Sequence, residues 1–374
     1  MIPFKPFGGG PLMKKNFSFN TFVIICSILG IIGVFLIRRF DPVHIATRDG
    51  VAMDTVIRLT AAAPKPRAAI EKILDGAFDL ITDADKKFSM YDPGSEISAI
   101  SEASGTKSVK VSAETFAVLA SALHTAGITD GAFDPTIGYV TSTWRKALDE
   151  GRLPTDEEIA FALLTTSYDR LRLSAPDTVF LNLEGQIDLG GIAKGHVSAM
   201  VRDYLRNEGV TSALIDLGGN VVVIGGRAER GERARAPWNI GVQYPSKPRG
   251  TPICALKIHE GSVITAGVYE RLWEVDGNRY THIFDPANGR PIEGALKSVT
   301  IVSNDPAQGD ALSTAFMVMG ESRSLELLQI IPGCDAIFIS EDEDGEYRIL
   351  ATGGLRDSLT PMPGVGPIEF RDIL

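Results

Sequence analysis

The chain has 374 residues, 44% apolar and 22% charged, the balance of a folded globular protein with a substantial core. Its 47 acidic residues outnumber 37 basic ones, a net charge of -10, so no cationic excess exists to neutralise phosphates and a nucleic-acid binder is excluded. Three cysteines are too few for a disulfide framework: Cys26 lies in an apolar run, Cys254 and Cys334 read as buried thiols, and no CxxC or Cys/His spacing suggests zinc.

Residues 1–20 form a short N-terminal tail. The run TFVIICSILGIIGVFLI, 21–37, carries no charge, follows Lys14 and Lys15 and is closed by Arg38 and Arg39. It stands at the short limit for crossing a bilayer, and no A-x-A cleavage site follows directly, so it reads as an uncleaved single-pass anchor. Basic residues on both sides leave its orientation open.

From about residue 41 to 374 there is no low-complexity tract or domain linker, and one α+β domain is expected. After a short connector, MDTVIRLTA (53–61) reads as the first strand. Helices are predicted over PRAAIEKILDGAFDLITDADKKFSMY (66–91), SAETFAVLASALHTAG (112–127) and PTDEEIAFAL (154–163), with turn chemistry in TDGAFDPTIG (129–138). IDLGG occurs at 187–191 and again at 215–219, separated by an amphipathic helix ending in Gly209, so the unit reads strand, glycine turn, helix, strand, glycine turn. Further strands follow in VVVIGG, WNIGVQY, CALKIH and SVTIVS, and helices return at 310–319 and SRSLELLQII.

Four segments carry possible chemistry. DLGGIAKGH (188–196) packs three glycines and Lys194 at a helix start, where backbone amides can approach phosphate; it is neither a P-loop nor a GxGxxG fingerprint, and a tight turn explains it equally well. THIFDPANGRP (281–291) holds His282, one of five histidines, either a core residue of an aromatic strand or a general base. SVITAGVYER (262–271) is a ligand-facing loop or a strand end. In GDALSTAFMVMG (309–320), Asp310 and Thr314 are four apart and share a helical face. Asp310 either caps the helix, with Ser313 completing a weak capping box, or joins Thr314 in a hard-cation site.

In order, MDT (53–55), FSMYDPGSEIS (88–98), GAFDPTIG (131–138), DLGGIAKG (188–195), IDLGGN (215–220), HIFDPANGRP (282–291) and GDALSTA (309–315) resemble the FAD:protein FMN transferase family, the ApbE-type flavin transferases once linked to thiamine biosynthesis. The resemblance covers most of the chain after the anchor. It implies a single compact ApbE-like (T-fold-like) α+β domain over 41–374, with mixed, largely antiparallel sheets, flanking helices and an FAD pocket between its halves, preceded by the transmembrane helix. The implied activity is Mg2+-dependent cleavage of FAD, with its FMN moiety passed to a Thr or Ser hydroxyl of an acceptor flavoprotein as a phosphoester and AMP released. The implied location is the bacterial inner membrane, catalytic domain facing the periplasm, with respiratory or ion-pumping flavoprotein subunits as acceptors.

Carried over by motif position, the flavin contacts fall on Met53, Tyr91, Ala132, Phe133 and Asp134. Asp188 and Lys194 lie along the FAD, and Phe284 near it. The cation ligands fall on Asp310 and Thr314, with a glycine-loop carbonyl from Ala193 or Gly191. His282 is the candidate base, with Asp285 to orient its ring. Three departures from the family pattern stand out: Asp54 for the usual Gly, Phe284 for a smaller aliphatic residue, and Asn288 where Thr is frequent. Two rival readings use the same site. With water as acceptor the chain is an Mg2+-dependent FAD pyrophosphatase giving FMN and AMP; without chemistry it is a membrane-tethered FAD-binding protein.

Overall fold

The computed structural model describes residues 27–28, 42–229 and 236–373. The expected anchor over 21–37 lies outside the described residues, apart from Ser27 and Ile28. Among the described residues no helix is long and apolar enough to cross a membrane.

From Val43 onward the chain opens with strands β1 (His44–Ala52) and β2 (Thr55–Ala63), then helices α1 (Arg67–Phe88) and α2 (Glu96–Glu102). Strand β3 (Val109–Lys110) precedes α3 (Ala113–Ile128), α4 (Gly138–Asp149) and α5 (Asp156–Leu163). Strands β4 (Leu171–Ser174) and β5 (Thr178–Leu181) lead to α6 (Ala193–Asn207), then β6 (Ser212–Leu217) and β7 (Asn220–Ile224). Next come β8 (Trp238–Gln243), β9 (Pro252–Ile258), β10 (Gly261–Gly267) and two hairpins, β11 (Leu272–Val275) with β12 (Asn278–Thr281), and β13 (Phe284–Asp285) with β14 (Arg290–Pro291). The chain ends with β15 (Leu296–Ser303), α7 (Pro306–Leu328), β16 (Cys334–Glu341), β17 (Tyr347–Thr352), β18 (Leu359–Pro361) and β19 (Ile368–Arg371).

Nine strands form one sheet in the order β1-β2-β6-β7-β10-β15-β16-β17-β19. Every neighbouring pair is antiparallel except β17 and β19, so the sheet is mixed and largely antiparallel. Residues such as Ile57, Ile215, Val222 and Ile301 point one way, into a core shared with α1, α6 and α7. Their neighbours Val223, Val263, Ile337 and Ile339 point the other way, onto the small sheet β18-β9-β8. Two covered faces explain why the central strands are continuous apolar runs and not alternating ones.

Local signals fix the helix ends. Ser112 accepts the Thr115 amide at the start of α3, and Thr155 with Glu158 forms a full capping box on α5. α1 buries Ile70, Ile73, Leu74, Ala77, Ile81, Ala84 and Phe88 along one stripe.

Three features depart from the sequence reading. The connector before Met53 is strand β1, an edge strand whose Arg48 and Asp49 pair with Asp75 and Arg58. Charged edge residues erase the apolar alternation that would have marked it. The first IDLGG is not a strand: Ile187–Gly191 is irregular backbone, entered through a single bridge between Gln186 and Ile137, and only the second copy is a strand end. Finally, α7 starts at Pro306, earlier than expected, although a kink at Gly320, whose φ is 75°, divides it into the two helical segments the sequence predicts. Cys254 and Cys334 are free and buried as expected, and burial pushes both thiols up to about 12, which makes them inert.

Candidate functional site

The site is built where α6 begins against α7. Gly195 leaves no room for a side chain: a Cβ there would fall 2.1 Å from the Pro306 carbonyl oxygen and 2.6 Å from the Asp310 Cβ. This contact lets the Gly195 N–H donate to Asp310 Oδ2 at 2.8 Å. Asp310 is 3% exposed, inside α7, and does not cap its own helix. The cap is Asp305, whose side chain accepts the Ala307 and Gln308 amides. The capping reading of Asp310 is therefore corrected, because the helix starts too early for it. Ser313 donates to the Asp310 backbone carbonyl and forms no capping box.

The crossed bond has a consequence on the other helix. In a regular helix the Gly195 N–H would close a turn onto the Gly191 carbonyl. Here it goes to Asp310, while Ala193 and His196 donate normally to Leu189 and Ile192. The Gly191 carbonyl is thereby outside the backbone ladder of the described residues. A Cβ at Gly191 would lie 3.1 Å from Thr314 Oγ1 and 3.1 Å from the Phe133 ring, so Gly191, Phe133 and Thr314 meet at one point. Asp310 and Thr314, one turn apart on α7, thus both lie against the glycine loop, Asp310 through the Gly195 amide and Thr314 beside Gly191. Among the described residues no cluster of three His, Cys, Asp or Glu side chains stands ready for a metal.

Asp188 belongs to the same loop. Its Oδ2 accepts Thr141 Oγ1 at 2.8 Å and its Oδ1 accepts the Gly190 N–H at 2.7 Å. In the second copy Asp216 Oδ1 likewise accepts the Gly219 N–H at 2.8 Å, so the repeated Asp is a turn-forming device in both places.

His282 follows β12. Its Nδ1 lies 3.2 Å from the Arg271 carbonyl oxygen. A carbonyl only accepts, so Nδ1 carries the proton and Nε2 keeps its lone pair free. Burial pushes the imidazole down to about 4, and the positive charges of Lys194 and Arg271 add to the effect. At neutral pH His282 is an uncharged base. Asp285 does not orient it, since its oxygens are taken by the Ala287 amide and the Asn288 side chain within the turn. Asn288 in turn accepts the Arg290 N–H, a structural role.

The rim comes from three other segments. Met53 and Asp54 have φ of 51° and 55° and close the β1–β2 hairpin, the two positive values a two-residue hairpin loop demands. That accounts for glycine in the family motif and for aspartate as a tolerated substitute. Asp54 reaches to 3.7 Å from Arg271, and the Met53 amide donates to Asp85. Tyr91 is 51% exposed, with the Arg145 guanidinium 4.2 Å above its ring. Its phenol is raised chiefly by burial and also senses Arg145, Asp188 and Arg271. Glu270 is raised by burial and pulled down by Arg249, Lys194 and Arg271, which draws these cations into one neighbourhood.

The sequence model of the ApbE family matches residues 53–338. The chain belongs to this family. Its ApbE relatives include a Treponema pallidum protein named FAD:protein FMN transferase, 31% identical over 344 residues, 89% of this chain and 92% of that one. A Klebsiella pneumoniae protein of the same name is 33% identical over 276 residues, 73% of this chain and 84% of its own length. Among solved structures, the ApbE protein of Thermotoga maritima superposes with a TM-score of 0.72 at 30% identity, covering 82% of this chain and 96% of that chain. The flavin transferase ApbE from Vibrio cholerae gives 0.73 at 27% identity, covering 85% and 100%.

In this ApbE-family chain the expected site residues divide in two. Phe133, Gly191, Thr314, Asp310 and Ala193 converge at the start of α6, with Lys194 electrostatically coupled to His282. Asp188 belongs to the adjoining loop, Tyr91 senses its charge and that of Arg271, and Met53 sits in the hairpin turn whose Asp54 reaches Arg271. Asp134 and Phe284 face inward. The Asp134 carboxylate accepts from Thr136, twice, and from the Tyr168 amide; burial raises it against those bonds. Its task is to brace the loop that holds Ala132 and Phe133. Phe284 is 7% exposed in a small aromatic core with Trp144 and Trp273, 5.7 and 6.2 Å between centroids. Sequence reasoning missed Thr141, Arg145 and the Arg271 carbonyl. The first two are spaced one helical turn apart, but their partners are remote in sequence.

Proposed function

We propose that this chain transfers the FMN moiety of FAD to a Thr or Ser hydroxyl of an acceptor flavoprotein and releases AMP. The observation that carries this reading is the crossed hydrogen bond between α6 and α7, which ties Asp310 to the glycine loop on which Gly191 meets Thr314, while the charge of Lys194 in the same helical turn acts on His282. The names of the relatives support flavin transfer, and the donor set supports Mg2+: a hard cation takes one carboxylate, a hydroxyl, a carbonyl and substrate phosphate without a carboxylate cage. Asp310, Thr314 and Gly191 would hold it; Gly191 serves better than Ala193, whose carbonyl lies within the helix. A divalent ion bound there supplies neutralisation of the diphosphate and of the departing AMP phosphate.

The chain's own groups do the rest. Lys194 offsets diphosphate charge. His282 Nε2 takes the acceptor's proton while the hydroxyl oxygen bonds to the FMN phosphorus and the P–O–P bridge breaks, its electron pair leaving with AMP. The Arg271 carbonyl keeps the ring in the tautomer this needs. We also propose that the apolar run 21–37 tethers the catalytic domain to the bacterial inner membrane, a reading supported by its uncharged length; the periplasmic side is taken from the family resemblance, since basic residues flank the run on both sides.

Incubating the full chain in detergent with FAD, MgCl2 and a candidate acceptor subunit tests the proposal. Covalent flavin on the acceptor supports it; free FMN alone makes the protein a pyrophosphatase, and intact FAD makes it a carrier. His282→Ala should retain FAD binding yet slow transfer by about 100-fold or more. The base works unprotonated, so kcat/KM, which reports the free enzyme, should hold level as pH falls through 6 and drop only toward about 4. An acid limb centred near 6.5 would return His282 to an ordinary exposed histidine.

A further inference from the structure

The contact of Arg145 with Tyr91 takes no part in the chemistry above, yet Tyr91 lies within reach of the charges of Asp188 and Arg271. Arg145 lies on α4, one turn after Thr141, whose hydroxyl fixes Asp188. One helix face thus presents both side chains to the same wall. The guanidinium carbon sits 4.2 Å from the centroid of the Tyr91 ring and covers one side of it. Tyr91 is nevertheless 51% exposed, so much of the residue stays open to a ligand. Asp149 and Asp54 act on Arg145 only at range, and among the described residues no carboxylate pairs with it. A cation without a carboxylate partner, held over a half-exposed tyrosine ring and with its pKa raised first of all by its interaction with the Tyr91 side chain, is an arrangement that stiffens the ring.

We propose that Arg145 is a positioning residue for FAD: it holds the Tyr91 ring so that its exposed part forms a preformed shelf for the tricyclic flavin. The inference rests on the reading that FAD binds at this site, and adds a residue outside every motif that marks it. Ordering the ring before binding removes part of the cost of ordering it on binding. A cation over a partly exposed ring sets the scale at about two- to fivefold in affinity.

FAD-fluorescence titration and steady-state transfer with the full chain in detergent test this in a double-mutant cycle of R145A, Y91A and both. R145A should raise the Kd and KM for FAD about two- to fivefold, leave kcat at saturating FAD unchanged, and weaken the quenching of bound flavin. R145K should recover part of the loss, since it keeps a cation but not the planar guanidinium. In the Y91A background R145A should add nothing. The same loss in both backgrounds would assign Arg145 to direct contact with FAD and overturn the proposal. So would R145A behaving as wild type. A wild-type chain that leaves FAD unbound overturns the functional reading and this one with it, whereas tight wild-type binding with an indifferent R145A overturns this one alone.

Discussion

Asp310→Ala is expected to lower flavin transfer by on the order of 100-fold or more, the scale of loss when a group supporting charge at a reacting phosphate or metal is removed. Two effects combine in that variant. The negative charge proposed to hold the cation disappears, and the buried Gly195 N–H loses its acceptor, which costs about 1–3 kcal/mol of stability. Asp310→Asn separates them. An amide oxygen still accepts the Gly195 N–H, so the melting temperature should return most of the way toward wild type while transfer stays low. Covalent flavin on the acceptor, read by in-gel fluorescence, and a thermal melt of each variant check both halves. An Asn variant that transfers at the wild-type rate would show that the negative charge is not used.

Gly195→Ala should disrupt both the fold and the site. The new Cβ would stand 2.1 Å from the Pro306 carbonyl oxygen, and a backbone atom cannot swing aside as a side-chain tip can. The helices must part, at a cost of about 1–3 kcal/mol or more for overpacking, and Asp310 is carried away from the glycine loop. Denaturant midpoint and transfer rate should therefore fall together. Gly127→Ala is the matched control. It sits in α3 with nothing within 4 Å of the added Cβ, and there the same change should stabilise by about 0.5–1 kcal/mol with transfer untouched. A Gly195→Ala variant as stable as wild type would mean that the two helices do not meet as closely as the crossed bond requires.

Much of this was legible in the chain itself. The stripe of α1, the caps at Ser112 and Thr155, and the doubly covered apolar strands all follow from rules acting over a few residues. Asp310 and Thr314 showed their shared face because i and i+4 always do. What stayed hidden involved partners far apart in sequence. Asp310 looked like a cap for its own helix, and it serves the first turn of a helix that begins 117 residues earlier, at Ala193 against Asp310. Asp285 looked like the partner of His282 because it is three residues away, but turn geometry consumes its oxygens and a carbonyl eleven residues upstream does the orienting. Phe284 looked like a flavin contact, and two tryptophans from other segments draw it into a core. Edge strand β1 was missed because its charges answer to neighbours, not to its own periodicity.

By itself, then, the sequence determined the class of fold, its long helices and central strands and which segments carry chemistry, since hydrophobic period and turn residues act through bonds and neighbours along the chain. Only the tertiary structure decided which oxygens are left open, which tautomer His282 holds and which aromatic ring is covered. Hydrogen-bond capacity is finite, and whether a donor or acceptor is already spent depends on what the fold brings beside it.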